Sequence, residues 1–128
     1  MAKTLCKILG VVLLLVGICG FLSPTLLGMH LTPVHNVVHL LTAAIALYIG
    51  FAGSGGAART FCRAFGALYL LLGILGFVAP GVVAGIIQAH EAPGGSASLT
   101  ADNAVHLLLG AVFLIAGLMT APRTAATT

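Results

Sequence analysis

Charge is what this sequence most lacks. Of its 128 residues only 5% are Asp, Glu, Lys or Arg, and 60% are hydrophobic, whereas a soluble domain carries roughly 25% charged residues. A soluble fold must cover its surface with polar groups, and five basic plus two acidic residues cannot do so. The expected solvent is lipid. Tryptophan is absent, which removes the commonest interfacial anchor and leaves Tyr48 and Tyr69 as the only amphipathic aromatics. The short apolar/polar alternation of barrel strands is missing, so a membrane β-barrel is excluded. Hydrolase-type carboxylate pairs, a Ser/His/Asp order and a phosphate-binding glycine loop with its lysine are all lacking. The reading is therefore not an enzyme. A formal charge of +3 is too small to argue for nucleic acid, and contact with membrane lipids accounts for it.

What the chain does have is apolar length. Four stretches, Leu5 to Leu22, Pro33 to Phe51, Phe61 to Val78 and Ala101 to Thr120, can each cross a hydrocarbon core of about 30 Å as a helix. The expected fold is an all-α membrane protein of four transmembrane helices, a single integral membrane domain over residues 1–128. Lys3 and Lys7 precede the first span, Arg59 and Arg63 lie between the second and third, and Arg123 follows the fourth. Both acidic residues, Glu91 and Asp102, and the histidines His30, His35, His90 and His106 lie toward the other two connections. The positive-inside bias then places both termini and the Gly53 to Ala58 turn in the cytoplasm of a cell whose inner membrane the chain crosses several times. Lys3, Lys7 and the run from Ile8 to Cys19 also have the look of a secretory or lipoprotein signal. Ile18 is too large to precede a lipidated cysteine, and the segment recurs later in the chain, so a retained span is expected.

That recurrence is an internal repeat. Laying Cys6 on Cys62 also brings Gly10, Gly17, Gly20 and Pro24 onto Gly66, Gly73, Gly76 and Pro80. Laying Asn36 on Asn103 brings His39, Ala44 and Gly50 onto His106, Ala111 and Gly117. Repeat one covers about 5–51 and repeat two about 61–120, with an insertion in the second outer connection. Two copies with an even number of spans are parallel, related by a pseudo-twofold axis along the membrane normal. The repeated glycines share one helical stripe, which suits close helix packing and offers a face for self-association. Pro24 and Pro80 suit the ends of spans one and three, and the segment from Gly81 to His90 either lies on the outer interface or extends span three.

The informative polar residues open spans two and four. Thr32 followed by Pro33 reads as a helix cap and first helical residue, with Thr100 as the matching cap. His35 and His39 share a helical face at i, i+4 spacing, and Asp102 with His106 repeats it; Asn36 and Asn103 lie on the adjoining face. Polar residues at this depth face the bundle interior and need partners. Three chemistries fit. Asn36, His39, Asn103 and His106 could hydrogen-bond between helices. His35, His39, Asp102 and His106 could hold a metal ion, Zn or Cu, with His30, His90 or Glu91 joining from the loops. A bis-histidine haem also fits the histidines but lacks an outer Arg or Lys for its propionates. Cys6, Cys62 and Cys19 read as small buried hydrophobes.

With the strings His35, Asn36, Val37, Val38, His39 and Asp102, Asn103, Ala104, Val105, His106 in view, the chain resembles the bacterial membrane family called domain of unknown function 4383. The resemblance runs from about Leu5 to Met119 and implies four spans, with His-Asn-x-x-His opening span two and Asp-Asn-x-x-His opening span four. Members commonly carry an aromatic between Asn and His in the second motif, where this chain has Ala104 and Val105. The resemblance implies no substrate. The functional expectation is a structural or interaction module of the inner membrane. The alternatives are a metal-binding or metal-sensing protein and, third, a small transporter.

Overall fold

In water-free surroundings each backbone polar group must be satisfied within its own segment, and every apolar stretch here does so as a helix. The computed structural model describes residues 1–89 and 99–119. Its helices are α1 (Ala2–Leu22), α2 (Pro33–Phe51), α3 (Gly55–Val78), α4 (Pro80–Ile87) and α5 (Thr100–Met119), with a short 3-10 turn at Leu26–Gly28. All but α4 are long and apolar enough to cross a membrane, and the described residues contain no strand. The molecule has the build of a multi-pass membrane protein. His90, Glu91 and Arg123, together with Thr120, lie outside the described residues.

The helix boundaries follow local chemistry. Thr32 Oγ1 accepts the His35 N–H at 3.2 Å, and Pro33 takes the first helical position, where its missing N–H costs nothing. Ser54 Oγ accepts the Ala57 N–H at 3.1 Å. That cap recruits Gly55 to Ala58, expected as a turn, into the first turn of α3. Thr100 is the first residue of α5 itself, whereas a cap was expected there. At Ala79 the backbone leaves helical geometry (φ −143°, ψ 61°) and Pro80 follows, so span three stops at Val78. The apolar segment after it forms α4, which buries Val83, Ala84 and Ile87 with Ala89 and Leu99, against the partly buried Leu75.

Packing makes two hairpins. α1 pairs with α2 and α3 pairs with α5, and each pair meets through its glycine stripe. Gly10 and Gly17 lie against Leu47 and Leu40, while Gly66 and Gly73 lie against Leu114 and Leu107. The stripes are thus used inside the hairpins, and self-association would draw on other faces. Between the hairpins sit Cys6, Leu9, Leu13, Ala43 and Ala46 from one repeat and Cys62, Phe65, Tyr69 and Phe113 from the other. At the lysine-bearing end the contacts follow the repeat: Cys6 Sγ reaches the Ala58 carbonyl and Cys62 Sγ the Ala2 carbonyl, each at 4.0 Å.

The surface is apolar and the interior partly polar. Leu15, Leu41, Ile45, Leu71, Leu108 and Ile115 are more than half exposed, whereas His35, Asn36, His39, Asp102, Asn103 and His106 are buried. Such an arrangement suits lipid around the bundle and places these six polar side chains where protein can partner them.

Candidate functional site

Asp102 occupies the first turn of α5 and is 1% exposed. It is held from the other hairpin. The His30 backbone N–H lies 3.1 Å from each carboxylate oxygen, and His30 Nδ1 stands 3.0 Å from Oδ2. An ionised carboxylate only accepts, so the ring bond requires the proton on His30 Nδ1. His35 Nδ1 donates in turn to the His30 carbonyl at 2.7 Å and lies 3.8 Å from Asp102 Oδ1. A carbonyl also only accepts, so this bond puts a proton on His35 Nδ1. In the repeat registration His35 and Asp102 are equivalent positions, and here they face each other.

The other two histidines flank His35. Ring centroids are 4.3 Å apart for His35 and His39, and 5.9 Å apart for His35 and His106. Tyr69 meets His106 edge to face at 4.9 Å and stacks on Phe65 at 3.8 Å. The four residues expected to hold a metal, His35, His39, Asp102 and His106, are thus brought into one cluster. Among the described residues, however, no group of three or more His, Cys, Asp or Glu is placed to hold an ion. The Nδ1 atoms of His39 and His106 are buried and have no hydrogen-bond partner among the described residues.

Asn36 and Asn103 make interhelical contacts by packing. Asn36 lies over Gly20 of α1 and Asn103 over Gly76 of α3, where a Cβ would overlap the amide. The Asn36 side chain bonds locally, Nδ2 donating to the Leu31 carbonyl at 3.0 Å. Both Oδ1 atoms are buried and have no partner among the described residues. The glycines therefore act as seats for the amides, an arrangement whose sequence signal is the joint recurrence of Gly20 with Asn36 and Gly76 with Asn103.

Other contacts had weaker sequence signals. The hydroxyl of Thr32, besides capping α2, donates to the Ile87 carbonyl at the end of α4 and ties the inserted helix to the first hairpin. Tyr69 enters the cluster because it lies one helical turn from Phe65 on the buried face of α3. His30 was expected only as a loop contributor, and its backbone and ring provide the direct bonds to Asp102. His90 and Glu91, the other loop candidates, lie outside the described residues.

A cavity of about 130 Å³ opens beside the cluster. Its walls come from α2, α3, α4 and α5, and are almost entirely apolar, with His35, Thr42, Tyr69 and His106 among the lining residues. Compared with known protein families, the chain matches the one described as Domain of unknown function (DUF4383) over residues 3–119. No curated protein and no solved structure matches.

Proposed function

The chain belongs to the DUF4383 family, and from that premise we propose a non-catalytic structural or interaction module of the bacterial inner membrane. Its basic connections face the cytoplasm, and its His/Asp cluster lies in the outer leaflet. The orientation rests on Lys3, Lys7, Arg59 and Arg63, which share the end of the bundle opposite Asp102. The module reading rests on one observation. A carboxylate 1% exposed within an apolar bundle receives a backbone N–H and a ring N–H from the other hairpin. A buried carboxylate is costly unless its oxygens are filled, so Asp102 specifies how the hairpins dock.

Asp102→Asn keeps the shape and removes the charge. Unfolding in mixed micelles should show a loss of about 2 kcal/mol, the scale of hydrogen bonds to a charged group. An unchanged midpoint would sink the docking role. Cysteine labelling tests the orientation: a cysteine at Gly55 should be inaccessible from outside intact cells, and external labelling there would reverse the topology.

A metal site is the second reading. It is favoured by the grouping of His35, His39 and His106 and by the Nδ1 atoms of His39 and His106, which have no partner among the described residues. Elemental analysis of the natively purified protein decides it. Stoichiometric Zn or Cu would favour a metal-binding protein; neither metal, and no melting shift when either is added, would remove that reading.

A further inference from the structure

The cavity beside the cluster is almost entirely apolar even though His35, Thr42, Tyr69 and His106 help to line it. The polar atoms of these residues are engaged or buried. Thr42 Oγ1 donates to the Val38 carbonyl of its own helix at 2.8 Å, His35 Nδ1 donates to the His30 carbonyl, and His106 Nδ1 is buried. The Tyr69 ring packs on Phe65 and His106. What the cavity presents to an occupant is mainly carbon.

Its shape and mouth are equally informative. Val34, Val38 and Thr42 follow one another at i, i+4 and i+8 on α2, and Phe65, Leu68 and Leu72 at i, i+3 and i+7 on α3. Residues so spaced form one stripe, so the cavity is a slot running along the helices. Lipid chains run through a bilayer in the same direction. Val38, Leu68 and Ile86 are each about half exposed on the apolar outer surface, so the slot opens sideways to lipid. The repeat does not build this slot twice: Phe65 and Tyr69 stand where the first repeat has Leu9 and Leu13, and the α4 wall belongs to the insertion.

Volume and lining together narrow the occupant. Ordered water needs polar partners that these walls do not offer, and an empty slot would leave its lining without contacts on one side. A dry apolar cavity of about 150 Å³ takes a six-carbon ring. On that scale the 130 Å³ here takes a run of about five methylenes, the rest of the chain remaining in the bilayer. We propose that the slot holds one acyl chain of a bilayer phospholipid, drawn from the leaflet at the Asp102 end and entering sideways past Val38, Leu68 and Ile86 to pack against Tyr69. The site rests on the membrane-spanning fold, and neither on the docking role of Asp102 nor on which face of the membrane that end occupies.

The test uses the tyrosines as reporters, since the chain has two of them and no tryptophan. Tyr48 is 71% exposed on the outer surface, so Tyr48→Phe leaves the buried Tyr69 as the one emitter. The full-length Tyr48→Phe protein is reconstituted in phosphatidylcholine vesicles with brominated acyl chains, and in unbrominated vesicles as the reference. Brominated chains should quench Tyr69. Val38→Phe fills the slot from α2 and Ile86→Phe fills it from α4, both at lipid-facing positions; each should cut the quenching about twofold or more by over-packing the space. Circular dichroism checks that both variants fold. Three results would overturn the proposal: an unquenched Tyr69, undiminished quenching in either folded variant, or quenching that develops only as the protein is diluted in lipid. The last would make a second copy of the chain the occupant.

Discussion

The first hairpin has Ala43 where the second has Gly110, and the second closes more tightly: a Cβ on Gly66 would stand 2.4 Å from the Leu114 nitrogen, one on its counterpart Gly10 3.0 Å from the Leu47 nitrogen. A Cβ on Gly110 would stand 2.5 Å from the Leu70 nitrogen and 3.0 Å from the Gly66 carbonyl. Both hairpins seat an asparagine on a glycine, and both lay a basic stem over a glycine of the neighbouring helix, Lys7 on Gly50 and Arg63 on Gly117. They differ in what projects between them: Leu9 and Leu13 from one, Phe65 and Tyr69 from the other. The repeat thus conserves the contacts that close each hairpin and varies those that fill the space where the hairpins meet. Small residues are dictated by backbone approach and tolerate little change. The filling residues are free to specialise.

Exchanging residues between the repeats tests that division. The largest effect is expected from Gly110→Ala, which installs the residue of the first hairpin: its methyl would meet backbone that cannot step aside, at a cost of about 3 kcal/mol in reversible unfolding. The reverse exchange, Ala43→Gly, should cost only about 1 kcal/mol, the helix penalty of glycine. Equal losses would mean that the two hairpins are equally close. Next come Gly20→Ala and Gly76→Ala, each displacing an asparagine amide at about 2 kcal/mol. Their effects should match, and a large difference would show that the two seats are not equivalent. Tyr69→Leu copies the first repeat and should cost about 1 kcal/mol, the worth of its ring contacts with Phe65 and His106. The smallest difference is at the basic end. Arg63 Nε donates to the Gly117 carbonyl at 2.8 Å, whereas Lys7 lies over the Phe51 ring at 4.6 Å. Arg63→Met should lose about 0.5 kcal/mol more than Lys7→Met, and identical midpoints would remove any role for the carbonyl bond.

The four spans were legible because hydrophobic length is a one-dimensional property. Pro33 to Phe51 matches α2 residue for residue, and Thr32 caps it as its hydroxyl and the following proline imply. α3 begins earlier than its apolar run because Ser54 caps a glycine-rich turn that carries no hydrophobic signal. The cluster residues His35, His39, Asp102 and His106 were legible from their spacing within two helices. Which of them touch was not. His30 reaches Asp102 from a loop distant in the chain, and no periodicity records that meeting.

By itself the sequence determined a lipid solvent, four helices, a twofold repeat and the short set of polar residues that must turn inward. Charge scarcity, span length and the recurrence of Gly, Pro, Asn and His suffice for these, because each depends on residue type and spacing along the chain. Only the tertiary structure decided that His35 stands between His39 and His106, that Asp102 is filled by His30, and that Tyr69 and the inserted helix α4 leave a cavity on one side of the pseudo-axis. Those outcomes depend on which faces of four helices meet. Helical periodicity gives each helix a face, but in a bundle surrounded by apolar solvent the pairing is settled by close approach and polar satisfaction across helices.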